Sequence, residues 1–206
     1  MYKNIINMSV YVAGMNMRGQ WAQHPDNCIV INVCSSQSKS SKNRRDFSPM
    51  TEYEYKGYWN FEHYWQSGKV FDGLDNDKIK IWWKELRQPK RRYPKSKGKT
   101  VLYAKFDHIE ENLDYISSRK QVYIPEYYNL VKDREMTLYW KNKVENGTNV
   151  VIYDFDGPRL SNGEPTCLLL TEELLIEKMN DTNFPFGHGY IVASILANIN
   201  ILELFL

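Results

Sequence analysis

The sequence predicts an α+β fold, and three observations predict it. Short β-branched runs end in glycine or turn residues. Other stretches carry apolar residues at helical spacing. The two kinds mix without a regular strand–helix–strand rhythm. The chain has 206 residues, enough for one sizeable core and too few for two full domains, so 1–206 reads as a single domain. A hydrophobic share of 42% and a charged share of 25% exclude wholesale disorder.

The elements follow in chain order. "NIINMSVYVAG" reads as a first strand, and "MNMRGQWAQHPDN" as a loop. "CIVINVC" is apolar enough for a central strand. "SSQSKSSKNRRD" is polar and locally low in complexity, which predicts a loop or mobile lid with a cationic end at Arg44 and Arg45. "FSPMTEYEYKGYWN" suggests a turn and a short strand, and "YWNFEHYWQSGKVF" a helix. "LDNDKIKIWWKELRQ" opens on capping residues and places Ile79, Trp82, Trp83 and Leu86 at helical spacing, with Pro89 as its stop. "KTVLYAKFD" reads as a strand. Residues 123–147 read as one long helix, with Pro125 near its first turn and Gly147 at its end. "NVVIYDFDGP" is a strand entering a turn, Thr171 caps a short helix, and "PFGHGYIVASILANI" is a turn feeding a final helix.

The net charge is only +2, so nothing global marks a nucleic-acid protein. Locally, Lys84 to Lys99 holds eight basic residues against the single acid Glu85. Such a run is either a solvated loop or a phosphate-binding surface. Fifteen tyrosines and six tryptophans serve a core first, and flat bases second. Cys28, Cys34 and Cys167 form no CxxC pair and no zinc spacing, which fits a reducing compartment. No signal peptide is evident, and the apolar C-terminal stretch is interrupted by Asn198, Asn200 and Glu203. A cytoplasmic protein without a membrane span is expected. The N-x-S/T matches at Asn7, Asn146 and Asn180 then carry no weight.

Three stretches offer chemistry. On a helix, Trp59, Glu62, Gln66 and Lys69 would share a face, with Glu62 and Lys69 roughly 10.5 Å apart along the axis. That separation brackets a nucleotide-sized ligand, although the rim of an amphipathic helix looks the same. Gly68 inside such a helix suggests a close approach by backbone or ligand. In "YDFDGPR", Asp154 and Asp156 stand at a strand end, where carboxylates serve catalysis or plain turn geometry. In "PFGHGYIV", glycines flank His188 before a helix, a place where backbone N–H groups can meet phosphate. His24, His63 and His108 make no metal or triad pattern with it, and no Walker loop, GxGxxG or GxSxG occurs.

"INVCSSQSKSSKNRRDFSPM" followed by "YWNFEHYWQSGKVF" resembles the core signature of the NADAR, or YbiA-like, superfamily. Phe47-Ser48 match the start of its turn. Glu62-His63-Tyr64, Gln66 and Lys69 match its W-x-x-x-E-H-Y-x-Q-x-x-K helix. The first third of the chain matches well, "GHGYIVASILANI" loosely, and the middle departs from the pattern. The resemblance implies a YbiA-like α+β domain, several helices packed with a small mixed sheet. It also implies an N-glycosidase acting on a nucleotide-like or ADP-ribosylated-base substrate. Glu62 would then be a catalytic carboxylate, and Lys69 a second catalytic or ligand-contacting group.

A carboxylate beside an anomeric carbon stabilises oxocarbenium charge or activates water, and a lysine holds phosphate or attacks an opened sugar. The expected catalytic set is therefore Glu62, Lys69 and Asp154. The expected substrate-binding set is Trp59, Tyr64, Gln66, Arg44, Asp156 and His188. No metal or cofactor is called for. The expected partner is a nucleotide or ADP-ribose-type small molecule, or ADP-ribosylated nucleic acid. The alternatives are a non-catalytic ADP-ribose or nucleotide-binding module, and a nucleic-acid-binding protein that uses residues 84–99.

Overall fold

A computed structural model describes residues 9–16 and 19–205. In chain order its elements are β1 (Val10–Ala13), β2 (Ile29–Asn32), α1 (Lys42–Phe47), α2 (Phe61–Ser67), β3 (Lys69–Phe71), α3 (Asn76–Glu85) and β4 (Val101–Ala104). Then follow α4 (Tyr115–Ser118), α5 (Ile124–Val131), α6 (Glu135–Glu145), β5 (Val150–Tyr153), β6 (Cys167–Leu169), α7 (Glu172–Asn180) and α8 (His188–Leu196). The class is α+β, as expected. Asn7 and residues 4–8 of the expected first strand lie outside the described residues.

The chain forms two compact units. Residues 1–48 and 124–206 make one, and residues 49–123 the other. In the first, a four-stranded sheet runs in the order β2-β5-β1-β6. β5 pairs parallel with β1 and β2, and β6 closes the other edge antiparallel to β1. The strand buried along its whole length is β5, "VVIY", and α8 packs on β5 and β1. The second unit packs α2 on α3 beside the antiparallel pair of β3 and β4.

Four expectations need correction. β2 is an edge strand, with Ile29 and Val30 exposed, because β5 arrives from 121 residues later to take an inner place beside β1. The 35–46 stretch ends in the helix α1, capped by Ser41, whose hydroxyl accepts from the Arg44 N–H. Residues 51–58 make only an isolated bridge, Tyr55 to Tyr58. The long helix is broken at 132–134 into α5 and α6.

That break has a tertiary cause. Asp46, buried beside Arg45, accepts the Met136 N–H at 3.0 Å in the first turn of α6. Thr137 donates its hydroxyl to the Val131 carbonyl at 2.6 Å, satisfying an end of α5. Helical periodicity carries no trace of a partner 90 residues away.

Candidate functional site

The sequence-predicted residues fall into the two units. Arg44, Asp154, Asp156 and His188 belong to the first; Trp59, Glu62, Tyr64, Gln66 and Lys69 to the second.

In the first unit, Asp154 follows β5 and is almost fully buried. Its Oδ2 accepts the Gly189 N–H at 2.6 Å, and its Oδ1 faces the Asp156 N–H at 3.3 Å. His188 Nδ1 lies 3.3 Å from Oδ2, and His188 Nε2 lies 3.0 Å from the Val33 carbonyl. So "YDFDG" and "FGHG" meet, and the anion at the start of α8 is the chain's own carboxylate. A Cβ on Gly187 would stand 2.3 Å from Asp154 Oδ2, and one on Gly189 2.6 Å from Asp154 Cβ. The two glycines make room for the aspartate rather than for a phosphate. Asp156 enters through its backbone. Arg44 sits half-buried in α1.

In the second unit, α2 begins after its cap Asn60, whose side chain accepts the His63 N–H at 2.8 Å. It ends at Ser67, so Lys69 opens β3 instead of continuing the helical face of Glu62 and Gln66. Trp59 stands before the cap, its ring 5.5 Å from that of His63. Glu62 is half-buried in the first turn and accepts from Gln66 Nε2 at 2.7 Å. The close approach at Gly68 is real: a Cβ there would fall 2.4 Å from the Phe106 ring.

That ring borders a pocket of about 320 Å³. Lys56, Lys80, Lys84, Lys105 and His108 line it, with Tyr58, Tyr64 and Phe106 as aromatic wall and Asp107 as its acid. Lys84 Nζ stands 5.6 Å from the Tyr58 ring centre, and Lys56 Nζ 5.0 Å from that of Tyr64. Lys80 and Asp107 pair at 2.6 Å, which holds the Asp107 carboxyl below its usual range. Four lysines thus line the pocket with a single acid among the lining residues. Tyr64 is the sequence-predicted residue found at this pocket; Glu62 is not among its lining residues. Lys69 borders a second cavity of about 290 Å³, beside Trp65, Tyr103 and Tyr115.

Sequence reasoning missed Lys56, Lys80, Lys105 and Asp107. They come from a turn, a helix and a strand end, and no spacing rule joins them. Among the described residues, no group of three or more His, Cys, Asp or Glu could hold a metal ion. No helix among them is long and apolar enough to cross a membrane.

The model of a family of unknown function, DUF6939, matches residues 20–162, more than half of the chain. The chain belongs to that family. No curated protein and no solved structure matches it.

Proposed function

We propose that this member of the DUF6939 family binds a phosphate-bearing aromatic ligand, of the nucleotide class, in the lysine-lined pocket of its second unit. The observation that carries the reading is four lysines set around three aromatic rings in one pocket. Its volume of about 320 Å³ is at the lower end of the roughly 300–1,000 Å³ range of small-molecule sites. Ammonium groups neutralise phosphate, and rings give a base its stacking partner. Neither group alone needs the other at such a site; a nucleotide needs both.

Binding is favoured over hydrolysis by the acids. Breaking an N-glycosidic bond calls for a carboxylate at the anomeric carbon. Asp107, the acid of the pocket, is already paired with Lys80. Titration calorimetry with AMP, adenosine and inorganic phosphate tests the reading. AMP should bind more tightly than either fragment. Lys84→Glu with Lys105→Glu should weaken it tenfold or more at unchanged melting temperature. No heat with AMP, or an unaffected double variant, would end this proposal.

The N-glycosidase reading is second. It is supported by a half-exposed Glu62 in the first turn of α2 and by Lys69 beside Trp65 at the second cavity. Its test is release of base or ribose from ADP-ribosylated DNA and from ribosylated pyrimidines or pyridines, comparing wild type with Glu62→Gln.

A further inference from the structure

The basic run begins and returns at the wall of this pocket. Lys84, at the end of α3, lines it. The chain then leaves through Arg87 to Lys99 and comes back along β4 to Lys105, Phe106 and Asp107, which line it again. Between Glu85 and Asp107 there is no acidic residue, and eight basic ones. Lys84, Arg87, Lys90, Arg91, Arg92, Lys95, Lys97 and Lys99 are all exposed. The second unit as a whole holds 15 basic against 11 acidic side chains, a net +4, where the whole chain has +2. A solvated surface loop gains nothing from excluding acids over twenty residues; a surface that follows a phosphate backbone does.

Aromatic rings are built into the same segment. Trp82 and Tyr93 are half-exposed and meet edge to face, with ring centres 5.2 Å apart. Rings among cations are what an unpaired strand uses, since each base offers a flat face that a duplex keeps stacked inside.

We infer that the pocket's ligand is one nucleotide of a single-stranded nucleic acid, whose neighbouring phosphates run along residues 84–99. The inference rests on the nucleotide-pocket reading and adds the strand to it. The pocket takes a base and its phosphate. Arg92, Lys95 and Lys97, outside the pocket lining, take the phosphates beyond it, and Trp82 with Tyr93 offers a stacking face.

The test is fluorescence anisotropy with a labelled ten-nucleotide strand, as DNA and as RNA, alongside calorimetry with AMP. The wild type should bind the strand at least tenfold more tightly than AMP. Strand affinity should fall steeply with salt, by about 0.7 log units per log unit of salt for each phosphate held. Arg92→Glu, Lys95→Glu and Lys97→Glu together should weaken the strand tenfold or more and leave AMP affinity unchanged. A strand bound no more tightly than AMP would overturn the inference while leaving the pocket reading intact. So would polyphosphate competing as well as the strand at equal charge, which would mark a surface for any polyanion. If AMP fails to bind while the strand binds, the pocket reading fails, and with it the placement of a nucleotide there.

Discussion

Asp154 in the first unit and the lysine pocket in the second are both clusters of charge, and they are opposites. Around Asp154 every partner is within the chain: two backbone N–H groups, a histidine, and two glycines cleared of side chains to admit it. Around the pocket, four lysines share one paired carboxylate. Removing a partner from a buried, engaged charge is costly to the fold, whereas a cluster of like charges at an open pocket attracts an opposite charge. The difference separates a cap from a site better than residue type does.

Breaking the first cluster should have the largest effect. Asp154→Ala leaves the buried Gly189 N–H without its acceptor and removes the carboxylate from beside the half-buried His188, at a cost of about 3 kcal/mol. Chemical denaturation reads it directly. Asp154→Asn keeps one acceptor oxygen for the Gly189 N–H, and should recover part of the loss. An unchanged midpoint in Asp154→Ala would mean that the aspartate is held there for chemistry.

His63 gives the second effect. It is fully buried among Trp59 and Trp83, with neither ring nitrogen hydrogen-bonded, and burial pushes its imidazole down to about 4. The folded value lies below the ordinary 6.5, so the unfolded chain takes up the proton first. Stability is full above pH 6.5 and falls as pH drops from there through 4, by roughly 2–3 kcal/mol. Denaturation midpoints from pH 7 to pH 4 should fall in the wild type and flatten in His63→Phe. Parallel slopes in the two proteins would assign the acid sensitivity elsewhere.

How much of this was legible in the sequence follows from the range of the causes. The caps Asp75 and Thr171 were readable because capping acts within three residues. Gly68 was readable as a close approach, although its neighbour, Phe106, was not. The break between α5 and α6, the edge position of β2 and the meeting of Asp154 with His188 all depend on partners from 34 to 121 residues away. The motif around Glu62 was read as a continuous helix because its polar spacing suits one. Gly68 ends that helix, and Lys69 takes a strand direction instead. The pocket lysines were invisible as a set, for they share a place and not a period.

Gly68→Ala sharpens the comparison on the side of the pocket. The new methyl must push the Phe106 ring, itself packed on Tyr64 and Trp65. Overpacking of this kind costs about 2 kcal/mol. Because Phe106 lines the pocket, AMP affinity should fall as well, which thermal denaturation and calorimetry together would show. Lost stability with unaltered affinity would remove Phe106 from the binding surface.

The smallest effect is expected at the residue the sequence singles out most strongly. Glu62 accepts one hydrogen bond, from Gln66, and stands in the first turn of α2, where a negative charge is worth roughly 0.3–1 kcal/mol. Glu62→Gln keeps the side-chain length and an acceptor oxygen and loses only that charge, so stability should fall by less than about 1 kcal/mol. Since Glu62 is absent from the pocket lining, AMP affinity should not move. Binding and stability are therefore silent on this carboxylate, and turnover alone can speak for it. Should the wild type release base or ribose and Glu62→Gln lose that activity, the glycosidase reading gains a catalytic residue outside the lysine pocket. The second cavity, where Lys69 stands beside Trp65, would then be the next place to alter.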